Sequence, residues 1–384
     1  MFKHNFSAKH VPVVCIMQSK SGLQCYSHRA GKISYTVSMA TIVITGGGTG
    51  GHIMPNIALI PALRKRFDKI YYVGIKGGRE EKAAKSARIP FLDVPAVKLD
   101  RQKIFANLLI PARLSSCVGK AKELLRGIEP DVVFCKGGFV SLPCALAAHK
   151  LGIPVITHES DMSPGVANKI ISRFAYATVT SYPQTKAKNA VYIGYPIRRE
   201  IFSPHKPPVK LSRSHPTVLI VGGSTGALAL NKAVWENLDK LCARYNVLHI
   251  TGCDDNPKHA NYYPVKYADN IFDYYDCADA VVSRCGANAA CELLAMRKKV
   301  VFVPLNNRAS RGDQVENARH YVNMECAAMC DEKQLACDAV RIIDKALSMP
   351  MPRYTYDVNT DERIAALCLK AAEEGKRVKN TRRR

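Results

Sequence analysis

From Thr41 onward, short apolar runs alternate with glycine-containing turns and stretches of helical spacing. Thr41 to Thr45 reads as a buried strand, Gly46 to Gly51 as a turn, Pro55 to Arg66 as a helix and Lys69 to Gly74 as a second strand, which is a βαβ start. Asp131 to Cys135 is a further strand leading into the polar loop Lys136 to Ser141, and Pro154 to Thr157 leads into His158-Glu159-Ser160-Asp161. Thr217 to Val221 followed by Gly222 to Ala227 repeats the opening pattern. A third apolar run ends at Ser283, turns at Gly286 and continues as a helix from Asn288 to Met296. The pattern predicts two Rossmann-like halves, each with a glycine turn at the end of its first strand. A cleft between two such domains suits a group transfer, because it sets one substrate against each turn. Ser203 to Pro216, rich in Pro, Ser and basic residues, reads as the linker, and Thr360 to Lys376 as an amphipathic helix. The expected division is an extension over 1–38, a first domain over 39–202, a linker over 203–216, a second domain over 217–347 and, over 348–384, a C-terminal helix and basic tail, with packing of that helix back on the first domain one option.

The turns also narrow the chemistry. A helix that starts at a strand end presents unpaired amides and roughly half a positive charge, which attract an anion. Gly46, Gly48 and Gly51 satisfy the dinucleotide fingerprint, yet the second strand ends on Ile75 and Lys76 where an acidic ribose ligand belongs, so a dehydrogenase loses its weight. No Lys-Ser/Thr pair follows these glycines, so a Walker A loop fails as well. His52 stands at the start of the next helix. It reads either as a packed or capping residue or, because the dipole there disfavours imidazolium, as a neutral base; the base is the favoured reading. Glu292, about two turns into its helix, is either a solvated side chain or an acceptor for the hydroxyls of a sugar diol. In Lys98 to Leu114 basic residues interleave with Ile104, Phe105, Leu108, Leu109 and Ile110, which fits an amphipathic helix on the core or a membrane-surface patch.

Composition refines this reading. A chain of 384 residues with 47% hydrophobic content can bury two cores at ~150 residues per domain. The 56 Lys and Arg against 32 Asp and Glu give a net charge of +24, which favours polyanionic partners: phosphorylated substrates, an anionic lipid surface or nucleic acid. Nucleic acid is the weaker partner, since the basic residues are scattered apart from the tail Lys376 to Arg384 and no finger, RRM or helix-turn-helix pattern accompanies them. The 14 cysteines form no Cys-x-x-Cys pair and read as reduced thiols of a cytosolic protein. No apolar run approaches the ~18 residues of a membrane span. Residues 1–38 hold no acidic side chain and no clear periodicity, so they are expected to be an unstructured extension, with Met39 a possible effective start.

Gly47-Gly48-Thr49-Gly50-Gly51-His52, His158-Glu159-Ser160-Asp161, Gly222 to Ala227, Ser283-Arg284-Cys285-Gly286-Ala287 with Glu292, and Asp313-Gln314 with Asn317 occur in one order. Together, over roughly residues 41–345, they resemble the MurG family of peptidoglycan N-acetylglucosaminyltransferases. The resemblance implies an α/β protein of GT-B fold, two Rossmann-like domains facing across a cleft. It implies an inverting transfer of N-acetylglucosamine from UDP-GlcNAc to undecaprenyl-diphosphate-linked muramoyl pentapeptide, yielding lipid II, at the cytoplasmic face of an anionic membrane and without a metal or other cofactor. On this resemblance His52 is the catalytic base. Ser224, Gly286 and Ala287 hold the donor diphosphate, Glu292 takes the ribose hydroxyls, and Arg198, Arg284 and Gln314 position the nucleotide sugar. Thr49, Gly50 and Gly51 border the donor and, with His52, face the acceptor's diphosphate and sugar; Gly48, Asp161, Asn168, Asp313 and Asn317 line the acceptor side or the cleft. Asp161, Thr225 and Tyr195 depart from the commonest family pattern. A carboxylate at 161 repels a diphosphate, so it reads as a sugar-hydroxyl acceptor or a helix cap. The alternatives are another GT-B lipid glycosyltransferase, a UDP-GlcNAc 2-epimerase and, in a different class, a non-catalytic basic protein binding membrane or RNA.

Overall fold

The computed structural model describes residues 15–19, 22–26, 40–98, 109–223, 226–306 and 312–383. Within the stretch expected to be unstructured, β1 (Cys15–Ser19) and β2 (Gly22–Tyr26) pair antiparallel. The first domain is built on seven parallel strands: β3 (Thr41–Thr45), β4 (Lys69–Gly74), β5 (Phe91–Asp93), β6 (Val132–Cys135), β7 (Val155–Glu159), β8 (Ala177–Thr180) and β9 (Ala190–Tyr192). Their spatial order is β5-β4-β3-β6-β7-β8-β9. The second domain has six: β10 (Thr217–Val221), β11 (Asn246–Ile250), β12 (Tyr262–Val265), β13 (Ala280–Ser283), β14 (Lys299–Phe302) and β15 (Ala328–Met329), in the order β12-β11-β10-β13-β14-β15. Every pairing in both sheets is parallel. Central strands such as Thr41–Thr45 and Thr217–Val221 are buried along their whole length, which is why they read as unbroken β-branched runs rather than alternating ones.

The strand order reverses between β3 and β6 in one sheet and between β10 and β13 in the other. Open α/β sheets bind ligands outside the carboxyl ends of the strands at such a reversal. The loops after β3, β6, β10 and β13 are the glycine-bearing stretches singled out in the sequence, so the fold gathers them at two switch points.

Two segments lie differently from the expected division. Ile197 and Ile201, placed at the end of the first domain, are buried in a cluster with Leu219, Leu248 and Phe272 of the second, because this crossing strand is apolar enough to be taken into that core. The expected linker is also tied down: Asn246 Nδ2 donates to Ser212 O and His215 O. The last helix, Thr360–Arg383, returns to the first domain, where Ile364, Ala365, Cys368 and Ala371 pack with Ile42, Leu59 and Leu63. Its acidic first turn is anchored by Arg199 on Asp361 and by Lys65 on Glu362. No helix among the described residues is long and apolar enough to cross a membrane.

Candidate active site

The helix Gly50–Arg64 starts after β3 with Thr49 in extended geometry, no side-chain cap and no acidic residue in its first turn. Gly48 and Thr49 are exposed, and a Cβ at Gly50 would meet nothing within 4 Å, so the helix start is open. The loop before it is braced from below. Tyr72 donates its hydroxyl to Gly46 O at 2.6 Å, and the buried Glu80 accepts from Gly48 N at 3.4 Å and Ile75 N at 3.2 Å. The acidic residue missing from the end of the second strand thus arrives five positions later, and its carboxylate is engaged by backbone amides. His52 sits in the helix's first turn, half-buried, its ring against Gly138. Gly138 has φ +78°, and a Cβ there would stand 3.0 Å from His52 Cδ2, so glycine is required both by the backbone and by the imidazole.

The loops after β6 and β7 close around the same place. Glu159 is buried and accepts from Ser160 N (2.8 Å), Asp161 N (3.0 Å), Gly165 N (2.9 Å) and Asn168 Nδ2 (2.9 Å). Asn168, expected to line the cleft, is buried too, with its amide also donating to His158 O and accepting from Thr157. Its observed contacts brace the loop. His158 lies fully buried with Nε2 near Gly194 O (3.1 Å) and Ser181 Oγ (3.2 Å). Burial, reinforced by the Lys136 cation, holds its imidazole well below the usual range, hence neutral. Lys136 ends β6 with a fully buried side chain whose ammonium lacks a hydrogen-bond partner and lies 5.3 Å from the centre of the Tyr195 ring.

In the second domain the helix Ala287–Ala295 opens at Gly286, again without a side-chain cap or an acidic first turn. A Cβ at Gly286 would meet nothing within 4 Å, so this helix start is open as well. Glu292 on the same helix is only 2% exposed, and its Oε1 has no hydrogen-bond partner. Arg198 Nη2 stands 3.6 Å from that oxygen, a charge contact longer than a hydrogen bond, while its guanidinium stacks on Phe272 at 4.3 Å. Burial pushes the Glu292 carboxyl up to about 7 despite the opposing pull of Arg198. Arg284, expected to position the nucleotide sugar, is buried in its own domain, donating to Val303 O and pairing with Glu332. Gln314 accepts from Leu305 N at 3.0 Å. Ser224 and Thr225 lie outside the described residues, as do positions 99–108 of the basic-apolar stretch.

The two halves meet here. The helices Gly50–Arg64 and Ala287–Ala295, one from each domain, touch. Asn317, fully buried, donates to Asp161 Oδ1 (3.0 Å) and accepts from Met162 N (3.2 Å). The cap of the next helix is Gly165, not Asp161, and the Asp161 carboxylate reaches across the seam. Asp313 opens the helix that carries Asn317 and Gln314. Tyr195 donates to Asn288 Oδ1 (3.2 Å), and Tyr182 and Tyr321 share a hydrogen bond of 2.9 Å. No cluster of His, Cys, Asp and Glu that could hold a metal ion occurs among the described residues. Sequence reading missed Glu80, the bracing role of Glu159, and Lys136. The only signal for Lys136 was a lone charge between a buried strand and two glycines.

Two family models match the chain. The glycosyltransferase family 28 N-terminal domain matches residues 42–180, and the family 28 C-terminal domain matches 217–367. A UDP-N-acetylglucosamine–N-acetylmuramyl-(pentapeptide) pyrophosphoryl-undecaprenol N-acetylglucosamine transferase of Lachnoclostridium phytofermentans is 40% identical over 313 residues, covering 78% of this chain and 88% of its own. The protein of the same name from Lachnospira eligens is 37% identical over 337 residues, 84% of this chain and 95% of its own. Among solved structures, Acinetobacter baumannii MurG superposes with a TM-score of 0.67 at 24% identity, over 86% of this chain and 99% of that one. A putative UDP-N-acetylglucosamine 2-epimerase from Listeria monocytogenes reaches 0.63 at 14% identity, over 86% of this chain and 95% of that one, a likeness of fold alone. With two uncapped helix starts, one from each Rossmann-like domain, brought to one seam and relatives this similar over most of its length, the chain belongs to glycosyltransferase family 28, in the MurG group.

Proposed function

We infer that this chain transfers N-acetylglucosamine from UDP-GlcNAc to undecaprenyl-diphosphate-linked muramoyl pentapeptide, with inversion, to make lipid II. The observation that supports this best is the contact between two helices with open starts, one from each domain, the second of which carries a buried carboxylate, Glu292, that has one oxygen without a hydrogen bond. Amides at the Gly286 start, with the Ser224 loop, take the donor diphosphate, and Glu292 accepts the ribose hydroxyls beside Arg198. As the bond to the sugar breaks, charge builds on the departing diphosphate, and preorganised amides and a guanidinium stabilise that state more than the bound substrate. His52, from the opposite domain, takes the proton of the attacking acceptor hydroxyl. Incubation of the full chain with UDP-GlcNAc and a short-chain lipid I analogue is expected to release UDP and one GlcNAc-extended lipid per turnover. Epimerised UDP-sugar as the sole product would replace this reading with the epimerase one.

The same reading places the protein on the cytoplasmic face of an anionic membrane, without crossing it. The helix Ile110–Ile128 supports this: nothing in its first two turns is buried, Leu109 just before it is 59% exposed, and Arg113 is exposed beside it. Each basic residue near an anionic surface adds about 1 kcal/mol, and inserted apolar side chains add more. The chain is expected to float with vesicles containing anionic lipid, and the double substitution Leu109→Glu with Arg113→Glu to reduce the bound fraction at least tenfold. Equal flotation of both proteins would move the attachment elsewhere.

A further inference from the structure

Lys136 is the one fully buried lysine among the described residues, and nothing in the transfer as derived above uses it. Its Cβ lies against Gly46 of the first glycine loop, where a Cβ would come within 2.9 Å of it and within 2.7 Å of His52 O. Its ammonium faces groups from four directions: the Tyr195 ring, His158 and Glu159 at the end of β7, Asp161 in the loop that follows, and Cys291 on the donor-side helix of the other domain. None of these groups accepts a hydrogen bond from it. The oxygens of Glu159 are occupied by backbone and Asn168 donors, and Asp161 is engaged by Asn317.

An unpaired buried ammonium costs several kcal/mol, and replacing such a charge by an apolar isostere is commonly neutral or stabilising. A cation kept at that cost, between the base-bearing turn and the donor-side helix, is explained by an anion that arrives with the substrates. We propose that Lys136 is a substrate-binding residue whose ammonium pairs with a diphosphate oxygen when the seam between the domains is occupied. The reaction brings two diphosphates to this place, one on the nucleotide and one on the lipid, and both offer the same chemistry. The proposal rests on reading the seam as the transfer centre. It adds a charged contact from the floor of the first domain to the helix amides and Arg198.

A second property makes the contact measurable. Burial lowers the Lys136 ammonium to about 8, against the opposing pull of Glu159 and Asp161. At pH 8 the group is therefore near half protonation in the free protein, and pairing with an anion drives it to full charge.

Full-length wild type, Lys136→Met and Lys136→Gln are compared at pH 8 by UDP titration calorimetry in two buffers of different ionisation enthalpy, and by turnover of UDP-GlcNAc with a short-chain lipid I analogue. A lost charge-assisted hydrogen bond corresponds to a weakening of roughly ten- to a hundredfold. If the nucleotide supplies the anion, UDP affinity falls by that factor, and the proton uptake of wild type, up to about half a proton, is absent from both variants. If the lipid supplies it, UDP affinity holds and the acceptor KM rises by the same factor. In either case Lys136→Met melts no lower than wild type. UDP affinity and acceptor KM both within twofold of wild type, in whichever variant folds, would overturn the proposal. Wild type that neither binds UDP nor turns over would instead overturn the transferase reading beneath it.

Discussion

His52→Ala is expected to lower kcat by about 10²- to 10⁴-fold while UDP binding persists, the range that a positioned base contributes. The residue stands in the first turn of the helix Gly50–Arg64, at its open start. Gly138 leaves room for the ring, since a Cβ there would stand 3.0 Å from His52 Cδ2. The helix backbone, not the imidazole, forms the open helix start, so truncation removes the proposed base and leaves the backbone amides in place. Steady-state turnover beside UDP calorimetry separates the two. Turnover within threefold of wild type would assign the base elsewhere.

The second large effect concerns the donor. Glu292→Ala is expected to raise the KM for UDP-GlcNAc roughly ten- to a hundredfold with a smaller change in kcat, since hydrogen bonds from a diol to a carboxylate are worth about 1.5–3 kcal/mol and are made in ground and transition states alike. The pH dependence gives an independent check. The Glu292 carboxyl sits at about 7 in the free protein, above its ordinary 4.5, because burial penalises the charge more than Arg198 rewards it. On the proposed reading the ionised form accepts from both ribose hydroxyls, so UDP affinity is expected to climb as pH rises from about 6 through 7. Glu292→Gln should lose that slope. The linked stability has the opposite sense. Between about 4.5 and 7 the folded state keeps a proton that the unfolded chain has released, so this group's contribution to stability declines as pH rises across the window. A pH-independent UDP affinity in wild type would refute the ribose role.

Much of the frame was legible because parallel strands buried on both faces are apolar throughout and end at glycine. Thr41–Thr45, Lys69–Gly74 and Thr217–Val221 fall where the pattern puts them. The first helix begins at Gly50, ahead of the expected Pro55, and runs through both Pro55 and Pro61. Proline in the first turns is tolerated and glycine carries no side-chain signal, so its start could not be read from propensity. The ordered motifs led to the family, but not to the contacts. Asp161 meets Asn317 from 156 positions away, and Glu80 and Glu159 end on backbone amides that only the folded loops present. The ion pair of the buried Arg284 with the partly exposed Glu332 is of the same kind, since nothing local marks an arginine as turned into its own domain. The seam is long-range, and so was hidden.

The return of the last helix to the first sheet bears on how the protein is made. Ile42, Leu59 and Leu63 are synthesised about three hundred residues before their cover, Ile364 to Ala371. Domains ordinarily fold in the order they emerge. Here the first domain keeps an apolar face bare until the whole second domain has been made.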